Sequence, residues 1–258
     1  MTNEKILLAN GILDYFGKHS LPPPVIVGGV GGSGTRLIVK LLREMSIQMG
    51  ENVNVSEDAK EFIGIYDAHI TAYLLKQFID MPVFQADLLS AIKAHRQNMV
   101  SGNWGWKNPR TIYLLPILDK LMPSFNYIHV IRDGLEMVGS SNKNQLEKYQ
   151  SCLLSSEQVM LPSDIRAILF WATVNQSASN YGIAHMGERY MLLRFEDVCS
   201  DPTEAMRPIA ERLGLVLPKK WNETIRLPEK RKEKIRIDNL GQILAVSGDA
   251  LKRFGYPY

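Results

Sequence analysis

The 258-residue sequence has little cysteine: Cys152 and Cys199 are its only two. Two cysteines make neither a disulfide framework nor a zinc site, so they read as free thiols in a reducing compartment. Long hydrophobic runs are missing as well. No stretch approaches the roughly 18 apolar residues of a membrane span. The first ten residues carry Glu4 and Lys5 and lack the apolar core and small-residue cleavage site of a secretory signal. The expectation is a cytoplasmic protein. Charge of one sign is also in short supply. A net charge of +3 suits an anionic ligand but falls short of the clustered basic face that nucleic acid demands. Repeats and low-complexity tracts are absent. With 45% hydrophobic and 22% charged residues, the composition excludes disorder and allows a sizeable core.

What is present is an alternation of strand and helix patterns. Val25–Gly29 is a β-branched run behind three prolines, expected as a buried parallel strand. Leu37, Ile38, Leu41, Leu42 and Met45 then fall on one helical face. Residues 103–107 predict a short strand, followed by a proline-started helix with Ile112, Leu115, Leu118 and Leu121 on one side. Phe125–Ile131 predicts another strand, with Asp133–Asn142 as its helix. A long helix over 163–185, a strand at Tyr190–Arg194, a helix over Pro202–Leu213 ended by Gly214 and a closing helix over 240–254 complete the series. The pattern predicts an α/β fold, a parallel β-sheet flanked by helices in a P-loop nucleoside-triphosphatase-like architecture. A single domain over 1–258 is expected. Its mainly helical insertion at about 57–100 would build part of a substrate cap.

The most informative segment is Val25-Ile-Val-Gly-Gly-Val-Gly-Gly-Ser-Gly-Thr-Arg-Leu-Ile38. A glycine-dense turn between strand and helix cradles phosphate because its N–H groups converge at a helix N-terminus. Gly29 and Gly34 have P-loop spacing, yet Thr35 and Arg36 replace the Lys and Ser/Thr that handle a magnesium triphosphate. A guanidinium holds no magnesium but neutralises an anion bidentately. The loop therefore predicts a metal-free, phosphate-rich ligand. A turn serving only tight strand–helix packing is the alternative at this point. A second constellation, Ile128-His-Val-Ile-Arg-Asp-Gly134, puts Arg132 at the carboxyl end of a strand, with Ser140 in the next helix. Ligands sit at that edge of open α/β sheets, although a pair between Arg132 and Asp133 would serve equally well there.

Together these segments resemble the sulfotransferases that use 3′-phosphoadenosine 5′-phosphosulfate (PAPS). Gly31-Gly-Ser-Gly-Thr35 is similar to that family's 5′-phosphosulfate loop, and Arg132 with Ser140 to its 3′-phosphate site. Trp106-Lys-Asn-Pro109 and Leu193-Arg-Phe-Glu-Asp-Val198 resemble two further family segments, and the four span residues 25–200 in order. The resemblance implies a donor site made of Gly31, Gly32, Ser33, Gly34, Thr35, Arg36, Arg132 and Ser140. It implies PAPS as donor, PAP as product, no required metal, and a small-molecule or carbohydrate acceptor.

Many family members carry a Lys or Arg where this chain has Gly32. Arg36 and Lys107 are the candidates to supply the missing charge, and Lys107 is similar to a lysine used near the leaving group in the protein-tyrosine branch. A hydroxyl acceptor also needs a general base. Glu51, Glu57, Asp58, Glu61, Asp67 and His69 are the candidates, with Asp58 chosen and Glu57 second. The cations between residues 216 and 236, Arg226 among them, face solvent in this reading, with one or two reaching the donor. The acceptor pocket is expected from residues 57–100 and 145–165. Two rival functions stay open: a non-catalytic PAP-binding protein that has lost turnover, and a P-loop kinase. The kinase lacks its Lys-Ser/Thr pair.

Overall fold

Strand β1, Val25–Gly28, lies at the middle of the molecule and is wholly buried, as an unbroken β-branched run requires when both sheet faces are covered. In the computed structural model, which describes residues 3–222 and 239–256, it pairs in parallel with β2, Gly105–Lys107, and with β3, Asn126–Ile131. Strand β4, Tyr190–Arg194, adds to β3, giving a four-stranded parallel sheet in the order β2-β1-β3-β4. The chain leaves β1 for one neighbour and then crosses to the other, so the carboxyl end of β1 is the point where the strand order reverses. Ligands bind at such a point.

Helix α1, Asn3–Lys18, precedes the sheet, and α2, Thr35–Glu44, follows β1. Next come α3, Ile63–Leu74, and α4, Met81–His95, and after β2 there is α5, Leu115–Leu121. Helix α6, Gly134–Val138, follows β3. It leads to α7, Asn144–Leu153, the single turn α8, Ser156–Val159, and the long α9, Ser163–Tyr181. The chain closes with α10, Phe195–Ser200, α11, Pro202–Leu213, and α12, Leu240–Arg253. Side-chain alternation splits the core in two. Val25 and Val27 join Ile128 and Val130 in one cluster with Leu41 and Ile209, while Ile26, Tyr127 and Ile131 face the other with Trp106 and Trp171.

Three expected elements differ from the sequence pattern. The proline-started helix begins as a 3₁₀ turn over Pro109–Tyr113, and regular α-helix starts only at Leu115. The helix expected over 133–142 stops at Val138, before Gly139 and two serines, so Ser140 lies beyond it. There the Ser140 hydroxyl accepts from the Asn142 amide (3.2 Å), a turn that competes with helix. The long helix over 163–185 is regular to Tyr181 and finishes in a wider π turn over Gly182–Met186. The stretch 57–100 divides: Glu57, Asp58 and Ile63 reach a cavity at the strand ends, whereas its second helix turns into the core. Helix α4 packs on α1 and buries Phe84, Leu88 and Ile92 in the core.

Behind the sheet a buried polar chain runs to the end of β3. Asn175 Oδ1 can only accept, so His129 Nε2 carries the hydrogen (2.9 Å) and His129 Nδ1 accepts from Tyr190 Oη (2.6 Å). Asn175 Nδ2 donates to the Trp171 carbonyl (2.7 Å), and Trp171 Nε1 donates to the Arg132 carbonyl (3.0 Å). Burial pushes the His129 pKa down to about 4, with the Asn175 bond opposing it. Between pH 6.5 and 4 the unfolded chain therefore binds a proton that the folded chain does not. His129 should subtract about 3 kcal/mol of stability as pH falls through that window. Urea midpoints at pH 7 and pH 4.5 test this: His129→Gln should show a shallower pH dependence than the parent, and equal slopes would refute it.

Candidate active site

The loop between β1 and α2 has its shape because glycine stands at two strained positions. Gly32 and Gly34 have φ of +98° and +91°, which side-chain-bearing residues rarely adopt. A Cβ on Gly34 would also lie 2.1 Å from the Phe195 ring, and one on Gly32 would lie 3.3 Å from Met137 Cε. Helix α2 then begins with no side chain capping it. Among the described residues, the N–H groups of Gly31, Gly32 and Gly34 donate to no carbonyl. Added to the orphan donors of the first helical turn, such unsatisfied amides are what an anion site requires. Ser33 is buried, and its Oγ has no hydrogen-bond partner in the protein, the kind of cost a bound ligand or water relieves. A phosphate group fits what this loop leaves unsatisfied.

The loop opens into a cavity of about 930 Å³. That is near the top of the roughly 300–1,000 Å³ range of small-molecule sites. The cavity brings Gly31, Gly32, Gly34, Thr35 and Arg36 together with Asp58, Lys107 and Arg132. Of the donor-site residues expected from sequence, Ser33 and Ser140 do not line it. Ser140 Oγ sits close by, 3.6 Å from where a Gly32 Cβ would be. Of the six candidate bases, Asp58 and Glu57 line the cavity, whereas Glu51, Glu61, Asp67 and His69 do not. Glu61 is engaged with His95 (3.3 Å), and His69 packs on Phe84. From the stretches expected to hold the acceptor, Ile63, Gln145, Lys148 and Tyr149 reach the wall.

Lys107 ends β2, and its side chain is only 2% exposed. Its Nζ donates to the Ser56 carbonyl (2.6 Å) and to Asp58 Oδ1 (2.5 Å). Asn54 Nδ2 fixes the other Asp58 oxygen (3.1 Å). Burial pushes the Lys107 ammonium below the usual lysine range. The Asp58 and Glu57 carboxylates pull it back, and Arg36 pushes it further down. Glu57 is held by Arg43 Nη1 (2.6 Å) and adopts a left-handed φ of +65°. Arg36 is exposed and makes only a long bond to the Val55 carbonyl (3.4 Å).

Arg132 leaves β3 with its guanidinium over the Phe195 ring, 4.7 Å from the centroid. It is paired with Glu136, one helical turn on, through Nε (2.9 Å) and Nη2 (2.5 Å). The Arg-Phe-Glu-Asp segment after β4 thereby acquires a role. Phe195 fills the space that Gly34 leaves and supports Arg132. Glu196 accepts from the Asp133 amide and from Tyr256 Oη, both at 2.8 Å, tying the end of β3 to the chain's last described residue. Sequence reading missed Glu136, although its i,i+4 spacing from Arg132 was a legible signal. It also missed Arg110, Lys148 and Tyr149, which belong to no motif.

A family model described as "Sulfotransferase family" matches residues 23–219. Among solved structures, a sulfotransferase from Mycobacterium avium superposes with a TM-score of 0.56 at 13% identity, covering 95% of this chain and 81% of that one. A sulfotransferase from Alicyclobacillus acidocaldarius gives 0.51 at 14% identity, covering 90% and 94%. At such identities the likeness is one of fold. No curated protein sequence matches the chain. Among the described residues no helix is long and apolar enough to cross a membrane. The family match runs from β1 through α11 and so takes in all four strand ends that build the cavity: this chain belongs to the sulfotransferase family.

Proposed function

We propose that the chain transfers a sulfuryl group from PAPS to a hydroxyl or amine acceptor, without a metal. The observation that carries this reading is the buried Lys107 ammonium, held by Asp58 and the Ser56 carbonyl in the cavity that also receives the glycine loop and Arg132. Sulfuryl transfer, like phosphoryl transfer, is an in-line displacement whose catalysis is chiefly positioning and electrostatic stabilisation. The loop amides hold the donor's 5′-phosphate, while Arg132 and Ser140 hold its 3′-phosphate. The acceptor oxygen or nitrogen bonds to sulfur as the bond from sulfur to the bridging phosphate oxygen breaks. Asp58 takes the acceptor's proton. Once neutral, it releases its hold on Lys107, whose charge is then free for the leaving oxygen. Arg36 faces the sulfonate oxygens, supplying what Gly32 cannot. The two free cysteines fit a cytoplasmic setting.

Transfer of labelled sulfate from PAPS to any acceptor of a small-molecule and carbohydrate panel, in the presence of a chelator, is the expected result. PAP binding without turnover across the panel would favour a non-catalytic nucleotide-binding protein. Tighter binding of ATP with magnesium than of PAP would favour a kinase.

A further inference from the structure

Beside the glycine loop, where a Gly31 Cβ would lie 3.5 Å from the Gln145 side chain, stands a second group of cations that the proposed donor site leaves unused. Helix α7 directs Gln145, Lys148 and Tyr149 to the cavity wall, at the i, i+3 and i+4 spacing of one helical face. Arg110 joins them from the 3₁₀ turn that follows Lys107. Arg110 Nη1 and Lys148 Nζ both grip the same oxygen, Asp67 Oδ1, each at 2.5 Å. Asp67 is not part of the wall, so two cations of the lining share one carboxylate outside it and keep a net positive charge. Arg110 is further steadied by the Tyr66 ring, 5.8 Å from its guanidinium carbon.

Tyr149 adds a second observation. The residue is wholly buried, and its Oη meets no group in full hydrogen-bonding geometry; the Arg110 guanidinium is the partner that interacts with it. A buried hydroxyl without a well-made hydrogen bond is costly and uncommon. Two cations that share one counter-ion, with a hydroxyl beside the arginine, match the needs of an oxyanion.

Resting on the function proposed above, we infer that the acceptor carries an oxyanion, a carboxylate, phosphate or sulfate group, which Arg110, Lys148 and Tyr149 bind. Asp67 is the resident counter-ion that this group displaces. The placement of Arg110 three residues after Lys107 sets the anionic end of the acceptor beside the reaction centre. Acidic hydroxyl compounds are thereby preferred over neutral ones of the same size.

Inorganic phosphate is the probe, measured by equilibrium dialysis of the full chain with and without saturating PAP. PAP occupies the donor site and leaves the second site open. Phosphate should bind the PAP-saturated protein, about tenfold or more weakly in Arg110→Gln and Lys148→Gln, while both variants keep the parent's PAP affinity. Asp67→Asn should bind phosphate severalfold more tightly, because the competing carboxylate is gone. A merely structural ion pair would not produce that gain. No phosphate binding to the PAP-saturated chain, or equal binding in all variants, overturns the inference. Loss of PAP affinity in Arg110→Gln or Lys148→Gln also overturns it, by assigning these cations to the donor. Phosphate binding that depends on Arg110 and Lys148 in a chain that fails to bind PAP would support the oxyanion site and sink the proposed donor instead.

Discussion

Lys107→Ala is expected to lower sulfuryl turnover on the order of a hundredfold or more, the usual cost of one preorganised charged donor. Its PAP affinity should change far less. The split follows from placement. Lys107 is anchored by Asp58 and the Ser56 carbonyl, whereas the loop amides and Arg132 hold the donor in the proposed complex. A group that acts on charge developing only in the transition state lowers kcat when removed, without a matching loss of ground-state binding. The pH profile supplies a second readout. Burial depresses the Lys107 pKa, so its positive charge is complete at low pH and is lost as pH rises through a value below the ordinary lysine range. Turnover should therefore decline on an alkaline limb. The residual activity of Lys107→Arg should lack that limb, since a guanidinium stays charged. Unchanged turnover in Lys107→Ala would remove this lysine from the mechanism.

Arg132→Ala should weaken PAP binding by on the order of 10- to 100-fold, the worth of a charge-assisted, bidentate contact to phosphate. Glu136→Gln should act in the opposite direction. In the structure Glu136 occupies Arg132 through two nitrogens, so a phosphate must compete with it. Removing its charge while keeping its shape should tighten PAP binding severalfold. Calorimetric titration of the three proteins with PAP measures both effects. If Arg132→Ala and the parent bind alike, Arg132 serves only to pair with Glu136 and pack on Phe195.

The expected strands and the glycine loop were legible because each rests on local physics. A β-branched run between turn signals has few alternatives to a buried strand. A glycine-dense turn ahead of a helical pattern imposes the loop on the backbone directly. The sequence pattern was less reliable where local and tertiary forces compete. The helix after β3 was drawn too long, since the apolar spacing of Leu135, Met137 and Val138 gives no hint that Gly139 and Ser140 turn the chain. The course of the stretch 57–100 was legible only in part: Glu57, Asp58 and Ile63 reach the cavity, whereas α4 does not. Periodicity shows that α4 has an apolar face, but not that α1 covers it. Arg226, the cation of the 216–236 stretch weighed as reaching the donor, lies outside the described residues.

By itself, the sequence determined the alternation of strands and helices, the glycine cradle, and the arginine and lysine at two strand ends, because these depend on residues close together in the chain. Only the tertiary structure decided their partners. It set Asp58 on Lys107 across 49 residues, Phe195 under Arg132 and against Gly34, and Asp67 between Arg110 and Lys148. It likewise separated Asp58 and Glu57 from the other candidate bases. The reason is that charge pairing and burial depend on distance in space, and a parallel sheet brings its strand ends together only after long crossovers have closed.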